Sequence, residues 1–109
     1  MDKQMLGCIG EDFAAAFLTK KGYRILERNY RCRAGEIDLI ASKENRLCFI
    51  EVKTRQTLRF GAPAEAVTVE KQRHIKAAAS VYLARHPEKT GEVNFQVIEI
   101  YLHHIPDAF

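Results

Sequence analysis

Apolar positions along the first twenty residues recur at helical spacing. Leu6, Ile9, Gly10, Phe13, Phe17 and Leu18 form that series and predict a helix from about Lys3 to Lys20. Lys20, Lys21 and then Gly22 make a helix stop. The period then shortens. Tyr23 to Tyr30 reads as a first strand and Glu36 to Ala41 as a second. Ser42 to Arg46 is a polar turn, and Leu47 to Lys53 is a third strand, antiparallel to the second. Thr54 to Pro63 reads as a loop. A helix follows from about Thr68 to Arg85, with Thr68 as N-cap and Val69, Ile75, Ala79, Tyr82 and Leu83 as its apolar stripe. Pro87 and Gly91 break the pattern before a last strand, Val93 to Leu102. The expected architecture is α/β, an α-β-β-β-α-β core in which a central sheet is flanked by helices.

Composition narrows the picture. The 109 residues fit one domain, spanning 1–109, that buries enough surface for a core without staples. No apolar run has the length of a membrane span, and Met1 to Gly10 lacks a basic-then-apolar leader. Cys8, Cys32 and Cys48 are odd in number and widely spaced, unlike a disulfide framework or a zinc site. Reduced thiols and a cytoplasmic location are the expectation. The net charge of +3 does not by itself identify a polyanion partner.

The anomaly lies in the hairpin. If its turn centres on Glu44 and Asn45, Ile40 faces Phe49, Asp38 faces Glu51 and Glu36 faces Lys53. Period-two alternation then puts Ile37, Leu39, Cys48, Ile50 and Val52 on one side. The other side carries Ile40, Leu47 and Phe49 at the turn end and Glu36, Asp38, Glu51 and Lys53 at the open end. Both faces read as buried. Carboxylates on directly opposed strand positions stand about 5 Å apart and raise one another's pKa. A hard cation, Mg²⁺ or Mn²⁺, would satisfy them. The bland alternative is a solvated sheet edge in which Lys53 neutralises Glu36 or Glu51.

The loops at that end carry Arg31, Arg33, Arg55 and Arg59 and no acidic residue, which suits phosphates, or merely solubility. Phe60 is a candidate for base stacking or for a core anchor. Gln72 falls on the apolar stripe of the second helix and needs a partner there. Glu11 borders the stripe of the first helix, near Gly7 and Ala14. His74, His86, His103 and His104 have no metal-pair spacing and read as structural or solvated.

Ile37-Asp38 followed by Glu51-Val52-Lys53 resembles the PD-(D/E)XK motif of restriction-endonuclease-like nucleases, with Ile37 in place of the proline. Gly10-Glu11, Gly22-Tyr23, Asn29-Tyr30-Arg31, Gly35 to Ile40, Phe49 to Arg55, Phe60-Gly61, Lys71-Gln72 and the closing Ala108-Phe109 extend the likeness over nearly the whole chain. Together they resemble the bacterial YraN family, which is similar to archaeal Holliday-junction resolvases. The resemblance implies that Asp38, Glu51 and the Val52 carbonyl ligate Mg²⁺ or Mn²⁺ and that Lys53 is catalytic. It also implies that Glu11 and Gln72 join the catalytic group, with Glu36 behind it. Gln96 stands where the family often carries aspartate.

The expected activity is a metal-dependent endonuclease acting on DNA, with branched or structured DNA as the favoured form. Metal-activated water would attack a phosphodiester. RNA is the other polyanion these residues would suit. A homodimer, and a companion protein of DNA repair or recombination, are the expected protein contacts. The alternative is a non-catalytic module that keeps the nuclease fold for holding nucleic acid or docking an enzyme. A weaker one is a structural protein whose acidic cluster is an ion network.

Overall fold

The structure, a computed structural model, describes residues 1–56, 67–89 and 91–109. Helix α1 spans Lys3–Lys20, as its apolar spacing predicts. It opens on Asp2, whose side chain accepts the Met5 amide at 2.7 Å, and closes before Gly22, which takes the left-handed φ of 91° that glycine tolerates. Strands β1 (Arg24–Cys32), β2 (Gly35–Lys43) and β3 (Arg46–Arg55) follow. Then come α2 (Val69–Arg85), capped by the Thr68 side chain, and β4 (Glu92–Tyr101). The sheet order is β1-β2-β3-β4. The first three strands run antiparallel, and β4 lies parallel to β3. This is a mixed α/β fold in the order α-β-β-β-α-β.

Helices cover both faces of the hairpin, as its two apolar sides require. Ala14 and Leu18 of α1 pack on Leu39, Ala41, Cys48 and Ile50. Ile75, Ala78, Ala79 and Tyr82 of α2 pack on Ile37, Ile40, Leu47 and Phe49. Ile37 therefore lies opposite to its expected side. Both strands change phase here: Asn29 of β1 takes the left-handed φ of 52°, and across it Arg28 and its partner Leu39 face α1 while Tyr30 and its partner Ile37 face α2.

The helix stripes also need correction. α1 buries Gly10, Ala14 and Leu18, whereas Ile9, Phe13 and Phe17 are 43%, 59% and 45% exposed. The reason is the close approach of its axis to β3. A Cβ at Gly10 would stand 1.7 Å from Thr54 Oγ1, so only small side chains fit between helix and sheet. In α2 the buried residues are Ile75, Ala78, Ala79 and Tyr82, and Val69 is exposed. Strand β3 continues through Thr54 and Arg55, which removes both from the expected loop. Arg59, Phe60, Gly61 and Pro63 lie outside the described residues. No helix among the described residues is long and apolar enough to cross a membrane.

Candidate active site

The predicted register holds: Ile40 faces Phe49 and Leu39 faces Ile50. The backbone ladder then stops. Beyond it two carboxylates take over the work of main-chain acceptors. The Asp38 amide donates to Glu51 Oε2 at 3.2 Å, and the Val52 amide donates to Asp38 Oδ2 at 2.8 Å. Part-buried main-chain donors need partners, and this reciprocal pair supplies them while parting the strands. The expected facing of Glu36 and Lys53 is not among the backbone pairs. Instead, Glu36 is exposed and accepts from Arg31 Nε at 3.0 Å. Two carboxylates, not three, form the centre of the cluster.

Glu51 is 4% exposed. Burial holds its carboxyl above the usual carboxylate range, and the nearby Asp38 pushes it further up. Burial likewise raises Asp38, against the Val52 amide and the ammonium groups of Lys71 and Lys53, which lower it. Glu11, brought in by α1, is raised by burial and by the negative charge of Asp38, and its carboxylate bonds to the Asn29 side chain. Lys53 is half-buried, and its ammonium is held below the ordinary value by burial and by the adjacent Lys71. Burial, the largest single influence, would lower Lys71 as well, but Glu51, Lys53 and Asp38 together outweigh it and hold that ammonium raised. Lys71 Nζ lies 3.2 Å from Glu51 Oε1.

Asp38, Glu51, Lys53 and Glu11 thus come together as the sequence predicts. Lys71 and Asn29, quoted in the sequence only as part of the family likeness and given no site role there, join them. Lys71 shares a helical row with Ile75, Ala78 and Tyr82, and that row, rather than the one through Val69, faces the sheet. Gln72 is correspondingly exposed. Its Nε2 donates to the Val67 carbonyl at 3.0 Å, and it lines a cavity together with Glu51. It is not the buried amide that the stripe implies.

The arginines divide. Arg33 and Arg31 are exposed, the latter bonded to Glu36. Arg55 is mostly buried, with its Nε 3.6 Å from Glu99 Oε1 on β4, so it is a strand-to-strand partner rather than an open phosphate contact. Gln96 Nε2 donates to Asn94 Oδ1 at 3.1 Å and to the Tyr23 hydroxyl at 3.4 Å, and the residue lines a cavity together with Glu51. His86 stacks on Tyr82, and His103 and His104 are exposed beyond β4. The cysteines are free thiols.

For a hard cation the donors at hand are Asp38 and Glu51. Asp38 spends Oδ2 on Val52, and its second oxygen has no partner among the described residues. Among those residues no three His, Cys, Asp or Glu side chains converge as a ready-made cage. Two carboxylates are nevertheless a usual protein share for Mg²⁺, which completes its shell with water and substrate phosphates.

The same carboxylates carry a stability cost. Both have folded pKa values above their unfolded values near 4. The folded state then binds more protons between the two values, so stability falls as pH rises through that window and stays reduced at neutral pH. Asp38→Asn keeps an acceptor for the Val52 amide and removes a buried charge. It is expected to raise the Tm at pH 7 by a few degrees and to change it little at pH 4. Thermal melts at both pH values in chelator check this, and a lower Tm at pH 7 would contradict it.

Fold and site together define a mixed α/β protein with a desolvated acid pair and two lysines at the parting of its central strands. The family model of "Uncharacterised protein family UPF0102" matches residues 10–100. The chain belongs to the UPF0102 family, the YraN-like group its motifs resemble. It is similar to the UPF0102 protein of Caldicellulosiruptor saccharolyticus, 48% identical over 94% of this chain and 86% of the relative. It is also similar to that of Syntrophomonas wolfei, 46% identical over 95% and 96% respectively. The relative from Chlorobium phaeobacteroides strain BS1 is 53% identical over 90% and 78%.

Proposed function

We propose that the protein is a Mg²⁺- or Mn²⁺-dependent endonuclease of the PD-(D/E)XK type, acting on DNA and favouring branched or structured forms. The observation that carries this reading is the reciprocal Asp38–Glu51 arrangement at the end of the β2–β3 ladder, with Lys53 beside it. Two desolvated carboxylates with raised pKa values are a standing demand for positive charge, and hard oxygens suit these cations. Asp38, Glu51 and the Val52 carbonyl would hold the ion, which when bound acidifies a water and polarises the scissile phosphate.

The chain's own side chains do the rest. Lys53 places its ammonium beside the carboxylate pair, where charge develops on phosphate oxygens. Burial and the neighbouring Lys71 destabilise that ammonium, which makes a phosphate a welcome partner for it. Glu11, raised by burial and bonded to Asn29, stands ready to hold a proton or orient the attacking water. Arg31 and Arg33 present positive charge at the rim.

The test is cleavage of labelled linear, nicked, flapped and four-way DNA in Mg²⁺ and in Mn²⁺. Metal-dependent cutting is expected, fastest on a branched form. Binding without cutting in either metal would reject the hydrolytic reading in favour of a nucleic-acid-holding module.

Lys71 adds a second expectation. It engages Glu51 Oε1, an oxygen the ion would also use, so it competes with the ion. Lys71→Ala is expected to tighten Mn²⁺ binding roughly ten-fold, the factor for about 1.4 kcal/mol of like-charge repulsion. Calorimetric titration measures it. Weaker binding would make Lys71 a support of the site instead of a competitor.

A further inference from the structure

Helix α2 lies over β1 and β2 and leaves β4 uncovered on the same face. Between α2 and β4 is a cavity of about 220 Å³ whose walls include Phe49, Ile75, Phe95 and Val97. Glu51 forms part of its wall, so the cavity opens directly beside the carboxylate pair. Phe95 is 45% exposed although its ring stacks on Phe49, with centroids 5.6 Å apart and planes 26° apart. The Lys76 ammonium lies 6.0 Å from the Phe95 centroid. At the rim Gln72 donates to Val67, and its amide oxygen has no partner among the described residues. An apolar slot thus has an aromatic floor, two amides in its lining, Gln72 and Gln96, and one exposed cation, and it adjoins a site proposed to act on a phosphate.

Resting on the endonuclease reading above, we infer that this cavity holds one unpaired nucleobase of the strand whose phosphate reaches Asp38 and Glu51. Aromatic stacking with a nearby cation is how proteins hold single-stranded nucleic acid. Lys76 sits on an exposed helix position, so a base entering the slot displaces it from the ring and its charge moves to the adjoining backbone phosphate. Gln72 accepts from a base N–H. The slot is closed on the sheet side by Phe49 and Phe95, so a stacked duplex cannot enter without releasing a base. That geometry favours junctions, flaps and frayed ends, where a base is already free.

The chain contains no tryptophan, so Phe95→Trp gives a single reporter at the floor of the slot. The probe is an oligothymidylate of about twelve nucleotides, compared with the same sugar–phosphate chain lacking bases, in Ca²⁺ buffer. The variant's emission is expected to be largely quenched by the oligothymidylate and unchanged by the abasic chain, although both bind. Phe95→Ala is expected to weaken oligothymidylate binding about five- to hundred-fold and to leave abasic binding unaltered. Lys76→Ala, at an exposed position outside the core, is expected to weaken oligothymidylate binding and to leave abasic binding nearly unchanged, because only an entering base moves that ammonium from the Phe95 ring to the backbone, and it keeps the test alive if Phe95 variants fold poorly. Equal response to the two probes, or no quenching by bound oligothymidylate, overturns the inference. A variant whose emission changes with protein concentration alone also overturns it, because the face then contacts a second copy. Cutting by wild type without quenching removes the base site and leaves hydrolysis standing; quenching without cutting does the reverse.

Discussion

Lys53→Ala is expected to slow metal-dependent cleavage by about 10²- to 10³-fold, the usual loss when one preorganised electrostatic contact to the transition state is removed. DNA affinity should hardly change, because a single ammonium inside a site adds little to the many phosphate contacts that set affinity. The fold should tolerate the change. Lys53 is half-buried beside Lys71, and both burial and that neighbour already disfavour its charge, so truncation relieves repulsion rather than breaking a stabilising pair. Initial rates on a labelled four-way junction, set against gel-shift affinities for the same junction, separate the two effects. Equal rates for mutant and wild type would remove Lys53 from the chemistry. Equal losses of rate and affinity would recast it as a binding residue.

Gly10→Ala is expected to destabilise the protein by about 1–3 kcal/mol, the cost typical of forcing a methyl into a packed contact. In a domain this size that is a Tm loss of several degrees per kcal/mol. The added carbon would stand 1.7 Å from Thr54 Oγ1 and 2.9 Å from Thr54 Cβ, and Thr54 is held in a central strand. Helix α1 must therefore lift from β3. The effect reaches the site, because Glu11 is the next residue and depends on that contact for its place near Asp38 and Asn29. Thr54→Ala removes the oxygen but leaves the Cβ, so the double variant should recover part of the loss and not all of it. A melt series on the two single variants and the double variant measures the coupling. Full additivity would show that the helix does not pivot on this contact.

Much of this arrangement is legible in the sequence, for a physical reason in each case. The extent of α1 follows from the helical spacing of its apolar residues, and its end from the two terminal lysines and Gly22. The hairpin register follows from a polar turn between two apolar strands, because a slip of one residue would exchange the two faces. The Asp38–Glu51 juxtaposition is a consequence of that register. What is not legible depends on where elements approach one another. Bulky residues mark the apolar side of α1, yet the buried side is the small one, because the helix comes within glycine distance of Thr54. Gln72 and Lys71 are adjacent in sequence and differ by one step of helical phase, which only the docking angle of α2 decides. Ile37 changes sides where the paired strand carries a left-handed Asn29, which alternation of side chains does not announce. Arg55 reads as a loop cation until the length of β3 and the partner Glu99 on β4 are known.

The parallel pairing of β3 with β4 bears on how the chain is made. Parallel neighbours need a crossover, so β3 cannot gain its second partner until α2 and all of β4 have been synthesised. At about 5–20 residues per second, the growing chain spends a few seconds with Leu47, Cys48, Phe49 and Ile50 on an open strand edge. Such an edge is a template for pairing with another nascent chain. Arrival of Glu92 to Tyr101 closes it and at the same stroke sets Val97 against Glu51. The covering of the β3 edge and the placing of Val97 beside Glu51 are therefore one event.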